Sequence, residues 1–448
     1  MTGKERVFRT FEGELTDSLP WVPFTGVHAG KLLDYDAKEV STDADKIVAA
    51  ALEVNRLYKP DGQPVMFDLQ IEAEVLGCEL LWSEDSPPTV KTHPLAQENE
   101  IPTYIPKRSD GRIATHLKAI ETLKPLIGDT TALYGICCGP FTLASHLRGT
   151  DIFMDMILDE EYVHSLLTYT NEVAKAVASY LIESGIDVVA VVDPLISQIS
   201  PSHFNQFMSS PFSDLFSHIR EQKAKSSFFV CGNATMNIEP MCNTRPDGIS
   251  VDENVSLAEA KKITDRYEIT LGGNIPLTTV MLLGSQPDNM KTVVDLLDTV
   301  SHKHLIVSPG CDMPYDTPIE NTIAVEHAVH ETESARSMVK NYEKTETEFT
   351  GTLPDYKHLE RPLVEVFTLD STTCAACTYM LAAAQDAVSS IKESVDLVEY
   401  PYTTMENIGR CRKMGVTKLP SIYINGKIAF SSVIPAREEL VKRIREVM

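Results

Sequence analysis

The sequence predicts an α/β protein in which a (β/α)8 (TIM) barrel is followed by a second, smaller α/β domain. Short β-rich runs alternate with amphipathic helical patterns as far as about residue 332, which is the order typical of a parallel sheet. A polar stretch then interrupts the pattern, and a new alternation of strands and helices begins near Leu363. The length of 448 residues also suits two domains.

The barrel is predicted from the number of β-rich runs. We mark eight of them, at 21–24, 64–69, 131–137, 187–193, 226–231, 248–251, 268–273 and 304–309. Amphipathic stretches such as 159–184 and 256–266 lie between these runs. Eight βα units favour a closed barrel over an open doubly wound sheet.

The second domain is predicted from a change in pattern. We place the barrel at 1–335, a polar linker at 336–362 and the small domain at 363–448. The small domain begins with a strand, VEVFTL, which leads through a loop into an alanine-rich helix. A second strand, VDLVEYPY, follows, and KLPSIYINGKIAF reads as strand, turn and strand because Asn425-Gly426 is a strong hairpin signal.

Composition and charge exclude several classes of protein. An apolar content of 43% with 23% charged residues is typical of a globular chain, and no apolar run is long enough for a membrane span. The N-terminal residues lack the apolar core of a signal peptide, so we expect a cytoplasmic protein. The net charge of −24 argues against nucleic acid and other polyanions as partners. Residues 363–448 are neutral, so the barrel region carries all of this charge.

Candidate site residues follow from the barrel, because the chemistry of such barrels lies at the carboxyl ends of the strands. We expect Asp193 and Asn274 to be catalytic and Asp68 and Asp252 to bind substrate. Each of them could instead serve as a turn residue or a helix cap. We also expect His327 and His330, which have helical spacing, to lie on the solvated face of the last barrel helix.

Two cysteines also fall at predicted strand ends. Cys231 and Cys311 are candidate metal ligands, because zinc binds thiolates and holds a bound thiol in its thiolate form at neutral pH. The alternative is an ordinary pair of buried cysteines.

A different cysteine pair, Cys374-Ala-Ala-Cys377, lies between a strand and a helix. The helix dipole stabilises thiolate at this end, so we expect Cys374 to be the nucleophile and Cys377 to resolve the mixed disulfide. The alternative is a buried pair without function. The segment 363–448 resembles the thioredoxin-like superfamily, with Leu419-Pro420 and SIYINGK similar to its cis-proline strand and hairpin. The resemblance implies that Pro420 lies beside the cysteines, although Ala-Ala replaces the Gly-Pro of thioredoxin.

The first 330 or so residues resemble the uroporphyrinogen decarboxylase superfamily, particularly its cobamide-dependent methyltransferase branch. The segments that carry the resemblance are KERVFRTFEGELTDSLPWVPF, EAEVLGCELLW, GPFTLASHLRG, DVVAVVDPLISQISPSHFNQF and LGGNIPLTTVMLLG. The resemblance implies a barrel that transfers a methyl group between a corrinoid and a small acceptor or donor.

The resemblance also implies a zinc site. Thiol methyltransferases of this branch hold zinc by a His-x-Cys pair after the fifth strand and by a later cysteine, which places Cys231 and Cys311 among the ligands. Phe229 stands where the histidine belongs, so either another residue completes the site or zinc is absent, as in members that act on glycine betaine. His28, after the first strand, is the candidate third ligand, and we also expect it to be catalytic. The alternative is a surface residue or one that orients substrate.

Three functions are compared. We favour methyl transfer, with the cobamide on a separate corrinoid protein and a small thiol or similar acceptor. Decarboxylation of uroporphyrinogen is disfavoured because the arginine-rich motif of those enzymes is missing after the first strand. In the third hypothesis the barrel is an inactive scaffold for a thiol-disulfide redox adaptor. Removing residues 363–448 would then abolish all activity, whereas alanine at Cys231 and Cys311 would have no effect.

The small domain has three roles open to it. It could reduce Cys231 and Cys311 after oxidation, pass on a thiol-bound group or dock a redox partner.

Overall fold

A computed structural model describes residues 1–343, 349, 351–371, 375–392, 394–416, 418–431 and 433–448, with backbone only at 375 and 376. The chain divides into two compact units, one made of Met1–Ile196 and Ser200–Tyr342 and one that includes Glu343–Met448. Cys374 lies outside the described residues.

The first unit is built on a seven-stranded parallel sheet with the order β1-β4-β5-β6-β7-β8-β9. Its strands are β1 (Gly62–Pro64), β4 (Ala132–Cys138), β5 (Val188–Val192), β6 (Lys225–Val230), β7 (Gly248–Val251), β8 (Thr270–Ile275) and β9 (Leu305–Pro309). A separate small hairpin consists of β2 (Leu80–Leu81) and β3 (Thr89–Val90). Continuous runs of buried β-branched residues, such as those of β5, form these strands because both faces of the sheet are covered.

The segment at Trp21 closes the sheet into a barrel. Trp21 forms a parallel bridge with Val307 of the last strand, and the Val22 N–H donates to the Val307 carbonyl oxygen over 3.0 Å. On its other side, the Trp21 carbonyl oxygen accepts a 2.9 Å hydrogen bond from the Asp61 N–H, next to β1. The predicted barrel is therefore confirmed, with the first run present as a bridge instead of a full strand.

Helices surround the sheet. They are α1 (Gly3–Phe11), α2 (His28–Lys31), α3 (Ala37–Thr42), α4 (Ala44–Tyr58), α5 (Ile71–Val75), α6 (Gly111–Ile127), α7 (Pro140–Arg148), α8 (Ile152–Leu158), α9 (Glu160–Ser184), α10 (Pro201–His203), α11 (Ser209–Glu221), α12 (Ile238–Asn243), α13 (Leu257–Arg266), α14 (Gln286–Thr299), α15 (Ile319–His330) and α16 (Thr332–Met338). The 25-residue α9 shows how the sequence sets its bounds. Asp159 caps its first turn, and Gly185 ends it at a φ of 113°.

An apolar cluster fills the barrel interior. It includes Phe24, Phe67 and Phe229, with Cys231 and Cys311 packed against it. The rings of Phe24 and Phe229 lie 4.8 Å apart between centroids, and those of Phe67 and Phe229 lie 5.8 Å apart. The three phenylalanine side chains form an apolar layer beneath the carboxyl ends of the strands, which we call the apolar floor.

His330 corrects one expectation. Its side chain is only 20% exposed, and its Nε2 lies 2.9 Å from Oδ2 of Asp61, near the amino end of β1. The same Asp61 carboxylate accepts a hydrogen bond from the Trp21 N–H and pairs with Arg6. His330 is therefore not on a solvated face, because it is part of the network that holds the closing segment.

The second unit, in its described residues, is a four-stranded sheet with three helices. Its elements are β10 (Leu363–Thr368), α17 (Ala375–Ser389), β11 (Asp396–Pro401), α18 (Met405–Met414), β12 (Ser421–Ile424), β13 (Lys427–Ser431) and α19 (Arg437–Arg445), with the sheet order β11-β10-β12-β13. Asn425 and Gly426 have φ values of 46° and 73°, as the predicted hairpin turn requires. The Leu419-Pro420 peptide is cis.

The stretch 336–362, expected to be a linker, contains described contacts at both ends. The Tyr342 hydroxyl donates to Asp288 over 3.1 Å in the first unit, and the Tyr356 hydroxyl donates to Glu365 over 3.0 Å in the second. Along the part of the chain that the structure describes, no helix combines the length and the apolar composition that a membrane crossing needs.

Candidate active site

The parallel strands bring the sequence-predicted residues to one end of the barrel. Asp193, Cys231 and Asp252 directly follow β5, β6 and β7, while Asn274 lies near the end of β8 and Cys311 two residues beyond β9. Asp68 lies four residues beyond β1. We call this end, with these six residues, the barrel mouth.

Cys231 and Cys311 form a disulfide across the barrel mouth, with their Cα atoms 5.8 Å apart. In the sheet, two strands, β7 and β8, separate β6 from β9. Both cysteines are half-buried, whereas the other described cysteines are buried. The expected metal ligands are thus joined to each other, and a sulfur in a disulfide has no thiolate charge to offer a metal ion.

The surroundings of this pair do not fit zinc. Phe229 lies on β6 two positions before Cys231, which directly follows the strand, and both side chains pack in the interior cluster. The Phe229 ring is fully buried against Phe24 and Phe67 and cannot ligate a metal. Among the described residues, no group of three or more His, Cys, Asp and Glu side chains is arranged to hold a metal ion. Structural and catalytic zinc sites need at least three protein ligands.

His28 does not supply the missing ligand. Its Nδ1 lies 2.9 Å from the Tyr315 carbonyl oxygen, and its Nε2 lies 2.7 Å from the Tyr58 hydroxyl. Burial lowers the pKa of His28 to about 4, so the ring is neutral near pH 7. Both ring nitrogens of His28 are therefore engaged inside the protein. Through Tyr58, His28 fixes the chain that follows the Trp21 segment to α4.

Asp193 connects the end of β5 to the start of α7. Its carboxylate accepts hydrogen bonds from the Phe141 N–H over 2.9 Å and from the Thr142 N–H and hydroxyl over 3.1 Å and 2.6 Å. A negative charge is favourable at a helix N-terminus. Burial nevertheless raises the pKa of Asp193 to about 7. A Cβ atom at Gly139 would collide with this carboxylate, which explains the glycine before α7.

Asp252 and Asn274 both form hydrogen bonds within the turn that follows β7. The Asn274 side-chain amide donates to the carbonyl oxygens of Asp252 over 2.9 Å and Val255 over 2.7 Å. The Asp252 carboxylate accepts a 2.8 Å hydrogen bond from the Asn254 N–H. Burial raises the pKa of Asp252 above its usual range. Asn274 thus holds the loop that presents Asp252.

Glu253 is a residue that the sequence reasoning missed. Its carboxylate accepts a 2.9 Å hydrogen bond from the Leu277 N–H, and a Cβ at Gly310 would lie only 3.1 Å from its Oε2. Burial and the neighbouring Asp252 raise the pKa of Glu253 to about 8. Glu253 thus lies beside the residue that precedes Cys311. Its position directly after Asp252 at a strand end was the available signal.

Asp68 forms a buried ion pair with Arg112, a second residue that was missed. The Arg112 guanidinium pairs with Asp68 through Nη1, donates from Nε to Glu74 over 2.6 Å and lies over the Trp82 ring at 5.0 Å. Its Nη2 has no hydrogen-bond partner among the described residues. No sequence signal joins Arg112 to Asp68, since they are far apart along the chain.

Two further acids were missed, the buried Glu72 and the half-buried Asp312. Glu72 accepts a 3.0 Å hydrogen bond from the Cys138 N–H, and burial raises its pKa to about 7. Asp312, next to Cys311, accepts a 2.7 Å hydrogen bond from the Gly26 N–H, and burial raises its pKa well above the usual range. The described part of the barrel mouth is therefore rich in buried carboxyl groups, some of them protonated near neutral pH.

In the second unit, Cys377 and Pro420 are described, and Cys374 is not. Cys377 is buried near the start of α17, and its sulfur accepts a 3.2 Å hydrogen bond from the Leu369 N–H. Pro420 directly precedes β12, which pairs with β10. The strand, helix and cis-proline of the expected thioredoxin-like fold are all present.

Comparisons with known proteins agree with both units. The family described as uroporphyrinogen decarboxylase (URO-D) matches residues 2–332, and a thioredoxin domain matches residues 363–445. The methylcobamide:CoM methyltransferase MtbA of Methanosarcina acetivorans is 27% identical over 338 residues, which cover 71% of this chain and 95% of the relative. The corresponding MtaA of Methanosarcina barkeri is 26% identical, covering 72% and 96%.

A uroporphyrinogen decarboxylase of Trichodesmium erythraeum is 25% identical and covers 63% of this chain and 81% of the relative. A solved methyltransferase structure from Methanosarcina mazei has a TM-score of 0.69 at 24% identity, covering 74% of this chain and 99% of that one. At that identity the likeness shows the fold. The expected family, the barrel and the fused thioredoxin-like domain are confirmed.

Proposed function

Because the chain belongs to the uroporphyrinogen decarboxylase (URO-D) family over residues 2–332, we propose that it is a corrinoid-dependent methyltransferase of the branch that contains MtbA and MtaA. The observation that carries this proposal is the pair Cys231 and Cys311 in the barrel mouth, in a chain that covers 95% of a methylcobamide:CoM methyltransferase. The cobamide is carried by a separate corrinoid protein, and the methyl group passes to or from a small thiol or a similar acceptor.

The reaction moves a methyl group as a cation equivalent. When a thiolate attacks, a sulfur–carbon bond forms and the cobalt–carbon bond breaks, leaving its electron pair on cobalt. The acceptor must therefore lose its thiol proton. A carboxyl group with a pKa of about 8 can exchange a proton near neutral pH, and Glu253 provides one beside the residue that precedes Cys311. Burial also raises the pKa of the neighbouring Asp252. The apolar floor of Phe24, Phe67 and Phe229 excludes water below the reacting atoms.

The sequence-predicted site residues fall into two groups. Asp68 and Asp252 keep their predicted role in substrate binding at the barrel mouth. Asp193, Asn274 and His28 are assigned as positioning residues, because their described hydrogen bonds go to neighbouring protein groups. No step is assigned to zinc, because the donor set at the cysteines does not fit it.

The thioredoxin-like domain is proposed to be a redox-active accessory. Cys374 would be the nucleophile and Cys377 the resolving cysteine, with Pro420 at the strand beside them. The Leu369 N–H that donates to Cys377 supports this proposal, because hydrogen bonds to sulfur stabilise a thiolate.

The test is anaerobic incubation of the reduced protein with methylcob(III)alamin, or with a methylated corrinoid protein, and a panel of small thiols. Formation of cob(I)amide is followed by visible spectroscopy. We expect demethylation that falls at least tenfold in Cys231→Ala and is retained in Cys242→Ala, a buried cysteine on α12. Failure of demethylation with both corrinoid forms and every thiol would contradict the proposal.

A further inference from the structure

We propose that Cys231 and Cys311 are a redox centre, reduced from disulfide to dithiol by exchange with a dithiol and reoxidised by exchange with a disulfide, and that this pair does not hold zinc. The proposal goes beyond methyl transfer and does not depend on it. It rests on the disulfide itself, on the residues around it and on the partial exposure of its two cysteines.

The Cys231–Cys311 disulfide is accessible to an attacking thiolate. Among the described cysteines, only these two are not buried. Thiol–disulfide exchange needs an attacking thiolate to reach a sulfur, and the open end of a barrel permits this approach. Buried cysteines such as Cys242 are inert to exchange for the same reason.

The barrel does not need the Cys231–Cys311 disulfide as a structural link. Hydrogen-bonded strand pairs β6–β7, β7–β8 and β8–β9 already join the two strands that carry the cysteines. The Trp21 segment closes the barrel between β9 and β1. Opening the disulfide therefore leaves the fold intact, as a reversible centre requires.

The side chains around the two cysteines do not supply a third ligand for zinc. Phe229 takes the place on β6 from which a side chain would reach a metal bound at Cys231, and its ring belongs to the apolar floor. Two sulfurs without a third ligand bind zinc weakly, while two sulfurs within bonding reach of each other favour two-electron thiol chemistry.

The exchange conserves electrons and protons. A thiolate of the external dithiol attacks one cysteine sulfur, which forms a mixed disulfide and releases the other cysteine as a thiolate that takes up a proton. The second thiol of the reductant then attacks the mixed disulfide and releases the remaining cysteine, which is also protonated. The protein pair gains two electrons and two protons, and the reductant becomes a disulfide.

The first test measures exchange in the folded full-length protein. The oxidised protein is treated with dithiothreitol, alkylated, and digested for mass spectrometry of the peptides that contain Cys231 and Cys311. We expect both cysteines to become alkylated together, while Cys242 stays unmodified and the circular dichroism spectrum is unchanged. Oxidised dithiothreitol should restore protection. The proposal fails if the pair reacts only after unfolding, or if the two cysteines react independently of each other.

The second test measures metal binding. The reduced protein is titrated with zinc ions against a chromophoric chelator, and bound zinc is measured per chain. We expect wild-type binding equal to that of Cys231→Ser. Phe229→His should bind zinc at least tenfold more tightly, with Phe229→Leu as the matched control. Stoichiometric zinc in the reduced wild type that is lost in Cys231→Ser would overturn the proposal, whatever the fate of the histidine variant.

A third comparison identifies the reductant. The rate of reduction at low dithiothreitol is compared between the wild type and Cys374→Ser. A rate at least tenfold lower in the variant assigns the donor dithiol to the chain's own CxxC, and equal rates assign it to an external dithiol. Absence of reduction in both proteins at any dithiothreitol concentration that leaves the fold intact would overturn the redox centre.

Discussion

The Asp193 carboxylate accepts a 2.6 Å hydrogen bond from the Thr142 hydroxyl, which joins the end of a central barrel strand to the first turn of α7. Asp193 is fully buried, and the described hydrogen bonds of its carboxylate come from the start of this helix and the adjacent turn. These contacts support the proposal that Asp193, which the sequence predicts to be catalytic, positions α7.

Asp193→Asn should destabilise the protein, because it replaces a carboxyl oxygen that accepts hydrogen bonds at the helix start by an amide NH2 group that cannot accept them. We expect the free energy of unfolding in urea to fall by about 1–3 kcal/mol. Thr122→Val, which removes an exposed hydroxyl bond on α6, should change it by less than about 0.5 kcal/mol. Unchanged stability in Asp193→Asn would mean that this network does not hold α7.

The pH dependence of stability gives a separate prediction for Asp193. Burial raises its pKa to about 7 from the model-peptide value of 3.8, so between these values the folded protein binds more protons than the unfolded chain. The contribution of Asp193 to stability should therefore fall as the pH rises from 4 to 7. Urea unfolding across this range should show a shallower decline in Asp193→Asn, and equal slopes in both proteins would contradict the assignment.

His330 should show its dependence at higher pH. Its hydrogen bonds to Asp61 and Glu326 raise the pKa to about 9 against the cost of burial, so its stabilising effect is complete below pH 6.5 and is lost as the pH rises through 9. The loss should be on the order of 2 kcal/mol. His330→Gln should remove this decline, whereas His358→Gln, an exposed control in the second unit, should keep it. A decline that persists in His330→Gln would exclude the residue.

Phe229→Ala should remove part of the floor below the cysteines. Deletion of a buried phenylalanine ring costs about 3–5 kcal/mol, measured by denaturant unfolding. The matched variant is Phe228→Ala on the opposite face of β6, where the ring packs on Phe212 at 4.3 Å. Both variants should lose stability, but only Phe229→Ala should change the rate at which dithiothreitol reduces Cys231–Cys311. Equal reduction rates would show that the floor does not affect the disulfide.

Arg112→Met should leave Asp68 as an uncompensated buried charge, with a loss of about 3–5 kcal/mol. Adding Asp68→Leu should restore much of that stability, because neither charge then remains. Urea unfolding of the two single variants and the double variant tests the coupling. Additive losses would mean that the two residues do not act as a pair.

The sequence predicts the fold well because local residue patterns determine most strands and helices of the barrel. The run 248–251 agrees with β7 at both ends, and the Asn425-Gly426 turn follows from backbone preferences alone. Two runs are exceptions. Trp21–Phe24 joins the sheet only through a bridge to the last strand, and the run 64–69 shares only Pro64 with β1.

The site is less predictable, because its decisive contacts join residues that are distant in sequence. Strand ends indicate Asp193, Cys231 and Cys311, but no periodicity reveals that the two sulfurs bond or that Arg112 pairs with Asp68. Likewise, burial of His330 depends on Asp61, which belongs to another element of the barrel.

The bridge between Trp21 and Val307 also bears on how the protein is made. Trp21 leaves the ribosome early, whereas the strand that pairs with it is translated near the end of the barrel sequence. The nascent barrel must therefore remain an open sheet, with both edges unpaired, for most of its synthesis. Binding of chaperones during translation should accordingly persist until residues 305–309 have emerged from the exit tunnel.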